Sequence, residues 1–122
     1  RRILNGLHTA MASIAPPRYG LATVREAIEH PELGPFLRAL MDEEIVPVVS
    51  PPLAPEDARA YADATWARMR NPFLVHRLSD IAKGAPVKWQ TRLFPTMRAY
   101  EARFGVPPPR ITECRRVFEE TP

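Results

Sequence analysis

Asn5 and His8 stand three residues apart in RRILNGLHTAM, a segment otherwise rich in apolar residues. Residues at i and i+3 share one face of an α-helix, so an amide and an imidazole project there together, one turn apart. Ile3, Leu4, Leu7, Met11 and Ile14 recur at helical spacing and predict that helix. Their stripe takes one side of it, and Asn5, His8 and the small Ala12 lie along its edge. An amide and an imidazole beside a small residue leave room for the polar group of a ligand. The alternative is a boundary histidine bonded to a neighbouring backbone carbonyl.

The elements that must hold this pair are marked by periodicity and by prolines. Pro16-Pro17 is expected to end the first helix. Thr23-Val24-Arg25-Glu26 is a capping-box pattern, opening a short helix closed near Pro31. Phe36, Leu37, Leu40, Met41 and Ile45 predict another helix, halted by Pro47. VPVVSPPLAP then reads as an extended linker, its prolines being unsuited to a central strand. Pro55 falls at a helix start ahead of Tyr61, Thr65, Trp66 and Met69. Asn71-Pro72 breaks that helix, and Phe73, Leu74, Leu78 and Ile81 predict a further one reaching Gly84. Trp89, Leu93, Met97 and Tyr100 run to Gly105, a C-cap candidate. Beyond Pro107-Pro108-Pro109, Ile111, Cys114, Val117 and Phe118 form a last amphipathic helix. Alternating strand pairs and hairpin signals are absent, so the expected fold class is all-α, a multi-helix domain.

Composition narrows the functions open to such a domain. The 122 residues, 45% hydrophobic and 25% charged, suffice for one packed core, so residues 1–122 read as a single domain. No run approaches the ~20 apolar residues of a membrane span, and no secretory leader is recognised. A single cysteine, Cys114, forms neither an internal disulfide nor a metal cage, which points to a reducing, cytoplasmic setting. The net charge is +3, but no basic run exceeds two residues, which argues against a nucleic-acid partner. The five glycines are scattered and build no phosphate-cradling turn, so the chain by itself is expected to bind no dinucleotide in a Rossmann manner. No metal-ligand cluster is evident either.

RILNGLHTA resembles the segment that opens the C-terminal domain of the polyol-specific long-chain dehydrogenase/reductase, or mannitol dehydrogenase, family. That family includes mannitol dehydrogenases, fructuronate (mannonate) reductases and tagaturonate (altronate) reductases. Its signature is a lysine, four residues, an asparagine, two residues and a histidine. Asn5 and His8 match the last two members, and the lysine position immediately precedes Arg1. TVREAIEHPELGPFLRALMDEEIVPVV is similar to the next two helices of the family, including an acidic cluster at Asp42-Glu43-Glu44 followed by Pro47. RNPFLVHRLSDIA, Lys88 and Arg92-Leu93-Phe94-Pro95 resemble a later, substrate-facing segment. With His76, that segment is more similar to tagaturonate reductases than to mannitol dehydrogenases. The resemblance runs from residue 1 to about residue 100 and fades after Gly105.

The resemblance implies a chemistry. Oxidising a secondary alcohol removes a proton from oxygen and a hydride from carbon, and the hydride goes to NAD or NADP. In the family a lysine of lowered pKa is the general base. Asn5 and His8 are then the catalytic donors that hydrogen-bond the reacting oxygen, as in an oxyanion hole, with no metal required. Lys88 is implied to bind substrate hydroxyls or a carboxylate, and His76 to face the same cleft. Read without the resemblance, they are a surface lysine near a helix start and a helix-surface histidine. The implied partners are a sugar alcohol or hexuronate and an N-terminal Rossmann domain that binds the dinucleotide and is not in this chain. On this reading the isolated chain is inactive.

The sequence also departs from the family pattern. An Asp- or Asn-Gly-Ser-type turn is replaced by Lys83-Gly84-Ala85-Pro86-Val87, with the glycine displaced by one. Asp80 stands where mannitol and mannonate enzymes tend to have arginine, and a carboxylate there repels a uronate unless it points away. The ITECRRVFEETP tail is more charged than an apolar family helix. The rival reading is a non-enzymatic helical domain whose apolar faces serve a protein partner.

Overall fold

The first apolar stripe forms the longest element. The computed structural model describes residues 2–49, 53–73 and 75–122; in it α1 spans Arg2–Tyr19 and buries Ile3, Leu7, Met11 and Ile14. The expected stop at Pro16-Pro17 does not occur, because both prolines lie inside α1. Proline's fixed φ is helical, so the chain continues through both, without the two amide hydrogens that would have bonded the Ala12 and Ser13 carbonyls. The chain leaves the helix only at Gly20, where φ is 68°. There the Gly20 and Leu21 amides return to the Pro16 and Ala15 carbonyls at 3.0 and 3.3 Å.

Helix α2 (Val24–Glu29) opens on the expected capping box. The Glu26 amide donates to Thr23 Oγ1 at 3.2 Å, and the Thr23 amide donates to Glu26 Oε1 at 3.0 Å. Helix α3 (Leu33–Ala39) passes into a π-helical segment, Leu40–Ile45, and then into α4 (Val46–Val49). Pro47 therefore does not halt the helix. The stretch read as an extended linker is helical over Val46–Val49, while its residues 50–52 lie outside the described ones.

A second π-helical segment, Trp89–Leu93, stands between α7 (Ala85–Lys88) and α8 (Phe94–Phe104). The two segments share a cause. Each is followed, one residue on, by a proline at the second position of the resuming α-helix, Pro47 and Pro95. The residue before each proline reaches back five positions, Val46 to the Met41 carbonyl and Phe94 to the Trp89 carbonyl. The wider turn gives the proline ring room at the carbonyl it would otherwise strike.

Helix α5 (Pro55–Met69) starts at Pro55 as expected. The helix expected from Phe73 to Gly84 shrinks to α6 (Leu78–Ile81), and Leu74 lies outside the described residues. Phe73 and Val75 are 91% and 76% exposed, so they supply no core face. The backbone finds partners elsewhere. The Val24 amide donates to the His76 carbonyl at 3.0 Å, and the Leu78 amide to the Ala22 carbonyl at 2.9 Å. Thr23 and Arg77 thus pair in an isolated antiparallel bridge, and no strand occurs among the described residues. Gly105 ends α8 with φ 77°, as its C-cap position predicts, and α9 (Pro109–Glu120) closes the fold.

Helix α1 is central, packed on α9, α6 and both π-helical segments. Gly6 lies where those segments converge. A Cβ there would meet Ile45 Cδ1 at 3.3 Å and Leu93 Cδ2 at 3.5 Å. A buried relay fixes the second segment to α1: Trp89 Nε1 donates to Ser13 Oγ at 3.0 Å, and Ser13 Oγ donates to the Thr9 carbonyl at 2.8 Å. The residues on either side of Trp89 are thereby held in register with Asn5 and His8.

Candidate functional site

His8 leaves the core edge of α1 and meets His76, carried by the non-helical stretch that bridges to the start of α2. Their rings lie 5.2 Å apart, edge to face at 89°. Both line a cleft of about 260 Å³ closed by Leu4, Val24, Thr65, Arg68 and Met69. The boundary-histidine alternative required a backbone carbonyl partner. His8 Nε2 is instead buried with no hydrogen-bond partner among the described residues.

The electrostatics around His8 are one-sided. Burial, then the neighbouring His76, Arg92 and Lys88, lower its pKa from 6.5 to about 4. The imidazole is therefore neutral near pH 7, able to donate one hydrogen bond and accept one. Lys88 ends the short α7, which the positive φ of Gly84 starts, and its Nζ donates to the Ile81 carbonyl at 2.6 Å. An ammonium has three donors, so two remain.

Arg92 is half-buried on the second π-helical segment and has no carboxylate partner among the described residues. The other half-buried arginines, Arg38, Arg110 and Arg115, all pair with acids. The surroundings of His8 thus carry positive charge and suit an oxygen that is anionic or gathers negative charge.

The expected residues do not all converge. Asn5 is half-buried a turn before His8 but does not line the cleft; its carbonyl accepts from Thr9 Oγ1 at 3.0 Å. Ala12, read as space beside the pair, lines a different, mostly apolar groove of about 410 Å³ between α1, α6 and the end of α9. Four residues further along α1, it has moved with the helical twist and the rise away from His8. Asp80 points away from the cleft toward Lys83, 3.4 Å from its ammonium, and more than half of its side chain is exposed.

Two cleft residues lay outside the sequence-based site. Arg68 contributes a cation at its edge, and Thr65 is fully buried with Oγ1 unpartnered. Helical spacing marked Thr65 as part of an apolar stripe, and nothing local separates a packing threonine from a polar one. The charged tail also has an explanation: its arginines and glutamates form surface pairs along α9, and Arg18 reaches Glu113 at 2.8 Å. Among the described residues no group of three His, Cys, Asp or Glu is placed to hold a metal ion, and no helix is long and apolar enough to cross a membrane.

Comparison with known proteins follows the same residues. The family described as mannitol dehydrogenase C-terminal domain matches residues 1–114, further than the point near Gly105 where the resemblance was expected to fade. The altronate oxidoreductase of Bacillus subtilis (strain 168) is 47% identical over 110 residues, 90% of this chain and 22% of that protein. That of Halalkalibacterium halodurans is 41% identical over 107 residues, 88% of this chain and 20% of that protein. That of Cronobacter sakazakii is 38% identical over 110 residues, with 90% and 22% coverage. The chain thus spans about a fifth of the length of these relatives. No solved structure matches it. With its central helix, its histidine-lined cleft and a match over nearly its whole length, the chain belongs to the mannitol dehydrogenase C-terminal domain family.

Proposed function

We propose that this chain is the helical, substrate-holding part of a nicotinamide-linked oxidoreductase acting on a sugar acid of the altronate/tagaturonate type. One observation carries the reading: His8, neutral and with a buried Nε2 that has no partner among the described residues, lines a cleft, with the cations Lys88 and Arg92 near its ring though not lining that cleft, and Asp80 paired with Lys83. A neutral imidazole donates to the reacting oxygen without competing for its proton, and nearby cations favour the charge that oxygen gathers. Asn5 is the second donor in this reading, completing the pattern one turn earlier. Lys88 and His76 hold the rest of the substrate, and Lys88 matches a carboxylate.

The nicotinamide dinucleotide supplies the hydride acceptor when bound, and these 122 residues do not fit its pyrophosphate. Their five glycines are scattered, and no glycine-rich strand-to-helix turn is present among the described residues. The dinucleotide and the base lysine of the family pattern therefore belong to the rest of a polypeptide of the relatives' length.

The test uses that full-length polypeptide with reduced nicotinamide, offering tagaturonate and an uncharged ketohexose such as fructose. The expected result is turnover of the uronate, with Lys88→Met lowering kcat/KM for it by about 10–100-fold and for the ketohexose far less. Equal losses on both substrates would assign Lys88 to a hydroxyl and favour a mannitol-type substrate. No turnover of either by the parent would overturn the reading.

A further inference from the structure

We infer that Thr65 binds a hydroxyl group of the substrate, beside the reacting oxygen that His8 holds; the inference rests on the sugar-acid reading above. Thr65 sits in the middle of α5 and is fully buried. A threonine inside a helix ordinarily satisfies its hydroxyl by donating to the carbonyl four residues back. Two other buried threonines of this chain do so, Thr9 to Asn5 at 3.0 Å and Thr96 to Arg92 at 3.4 Å. Thr65 does not, and its Oγ1 has no partner among the described residues. Leaving a buried hydroxyl unpaired is costly, whereas valine would fill the same volume at no such cost.

The location gives the hydroxyl a use. Thr65 and His8 come from different helices and line the same cleft, and each holds a buried polar atom, Oγ1 and Nε2, with no partner among the described residues. Leu4, Val24 and Met69 make the apolar part of its lining, and Arg68 and His76 are its other polar residues. Two neighbouring oxygens on a sugar chain match two such groups: one accepts from the imidazole, and the next donates to or accepts from the threonine. A hydroxyl can take either role. A site built to hydrogen-bond a substrate hydroxyl also rejects analogues that lack it, so Thr65 would determine specificity as well as affinity.

Thr65→Val and Thr65→Ser in the full-length polypeptide test this. Valine keeps the volume and deletes the hydroxyl; serine keeps the hydroxyl. If Thr65 binds substrate, Thr65→Val lowers kcat/KM for the uronate by about 10–50-fold, leaves the melting temperature unchanged or higher, and Thr65→Ser recovers most of the activity. A substrate deoxygenated next to the reacting carbon then loses nothing further in Thr65→Val. Unchanged kcat/KM in Thr65→Val would overturn the assignment while leaving the sugar-acid reading in place. Absence of uronate turnover in the parent would instead overturn that reading, and this assignment with it.

Discussion

His8 is pulled two ways: its ring is packed at the edge of the core, yet it keeps a polar nitrogen that no described residue satisfies. Burial and cationic neighbours resolve the charge by holding it neutral. The consequence can be measured. The unfolded chain takes up a proton on this residue near pH 6.5, the folded chain only near about 4. Between these values the unfolded state binds more protons, so the contribution of His8 to stability is complete above pH 6.5 and is lost as the pH falls toward 4. In a proton NMR titration of the 122-residue chain, the His8 ring resonance should stay constant from about pH 8 to 5.5 and move near pH 4. A midpoint near 6.5 would mean an open, solvated imidazole. The placement of Asn5 and His8 one turn apart on a single helix is legible in the sequence because i, i+3 spacing survives folding unchanged, but which of them lines the cleft is not. Thr65 was not legible, since its distinction is a missing hydrogen bond, and only the packing of α5 against α1 shows that it is missing.

At the scale of elements, four proline sites predict helix stops; those at Pro31 and Asn71-Pro72 occur, and those at Pro16-Pro17 and Pro47 do not. Pro16-Pro17 lies inside α1, where its fixed φ suits the helix, and Pro47 is absorbed by a π-helical turn. Hydrophobic periodicity cannot anticipate such a turn, because one extra residue merely rotates the stripe. Where local chemistry decides, the expectation held: the Thr23–Glu26 box, Pro55 at a helix start and Gly105 at a helix end all depend on near neighbours. The helix expected from Phe73 failed because its backbone found partners at the start of α2, a contact remote in sequence.

The first π-helical segment also presents Glu44, 1% exposed, to the start of α9. There it accepts from the Arg110 and Ile111 amides at 3.0 and 2.9 Å and from the Arg110 guanidinium at 3.3 Å. Pro108 offers no side-chain cap, so Glu44 caps α9 from a distant segment. Glu44→Ala should lower the stability of the chain by about 2–4 kcal/mol in urea unfolding, and Glu44→Gln by less. A loss below about 0.5 kcal/mol would show that α9 holds its start without it.

The whole molecule is a platform for donors and not a complete catalyst on this reading. Its central helix carries Asn5 and His8, and the relay through Trp89 and Ser13 ties Lys88 and Arg92 to the same frame. The exposed Phe73, Val75 and Val87 stand near His76 and Lys88 in sequence, on the segments that supply the cleft and its charge. On this reading the dinucleotide is held by other parts of the polypeptide, so the 122 residues alone should oxidise no nicotinamide above a blank, since hydride transfer needs both reactants held within about 3.5 Å. The most direct test of the donor assignment is steady-state turnover of tagaturonate by the full-length polypeptide carrying His8→Ala or Asn5→Ala, with its melting temperature measured alongside. Each substitution should lower kcat by about 10²–10³ with a smaller change in KM, in protein that still folds. A kcat within twofold of the parent, or a loss confined to thermal stability, would contradict the assignment and leave His8 a boundary histidine of the core.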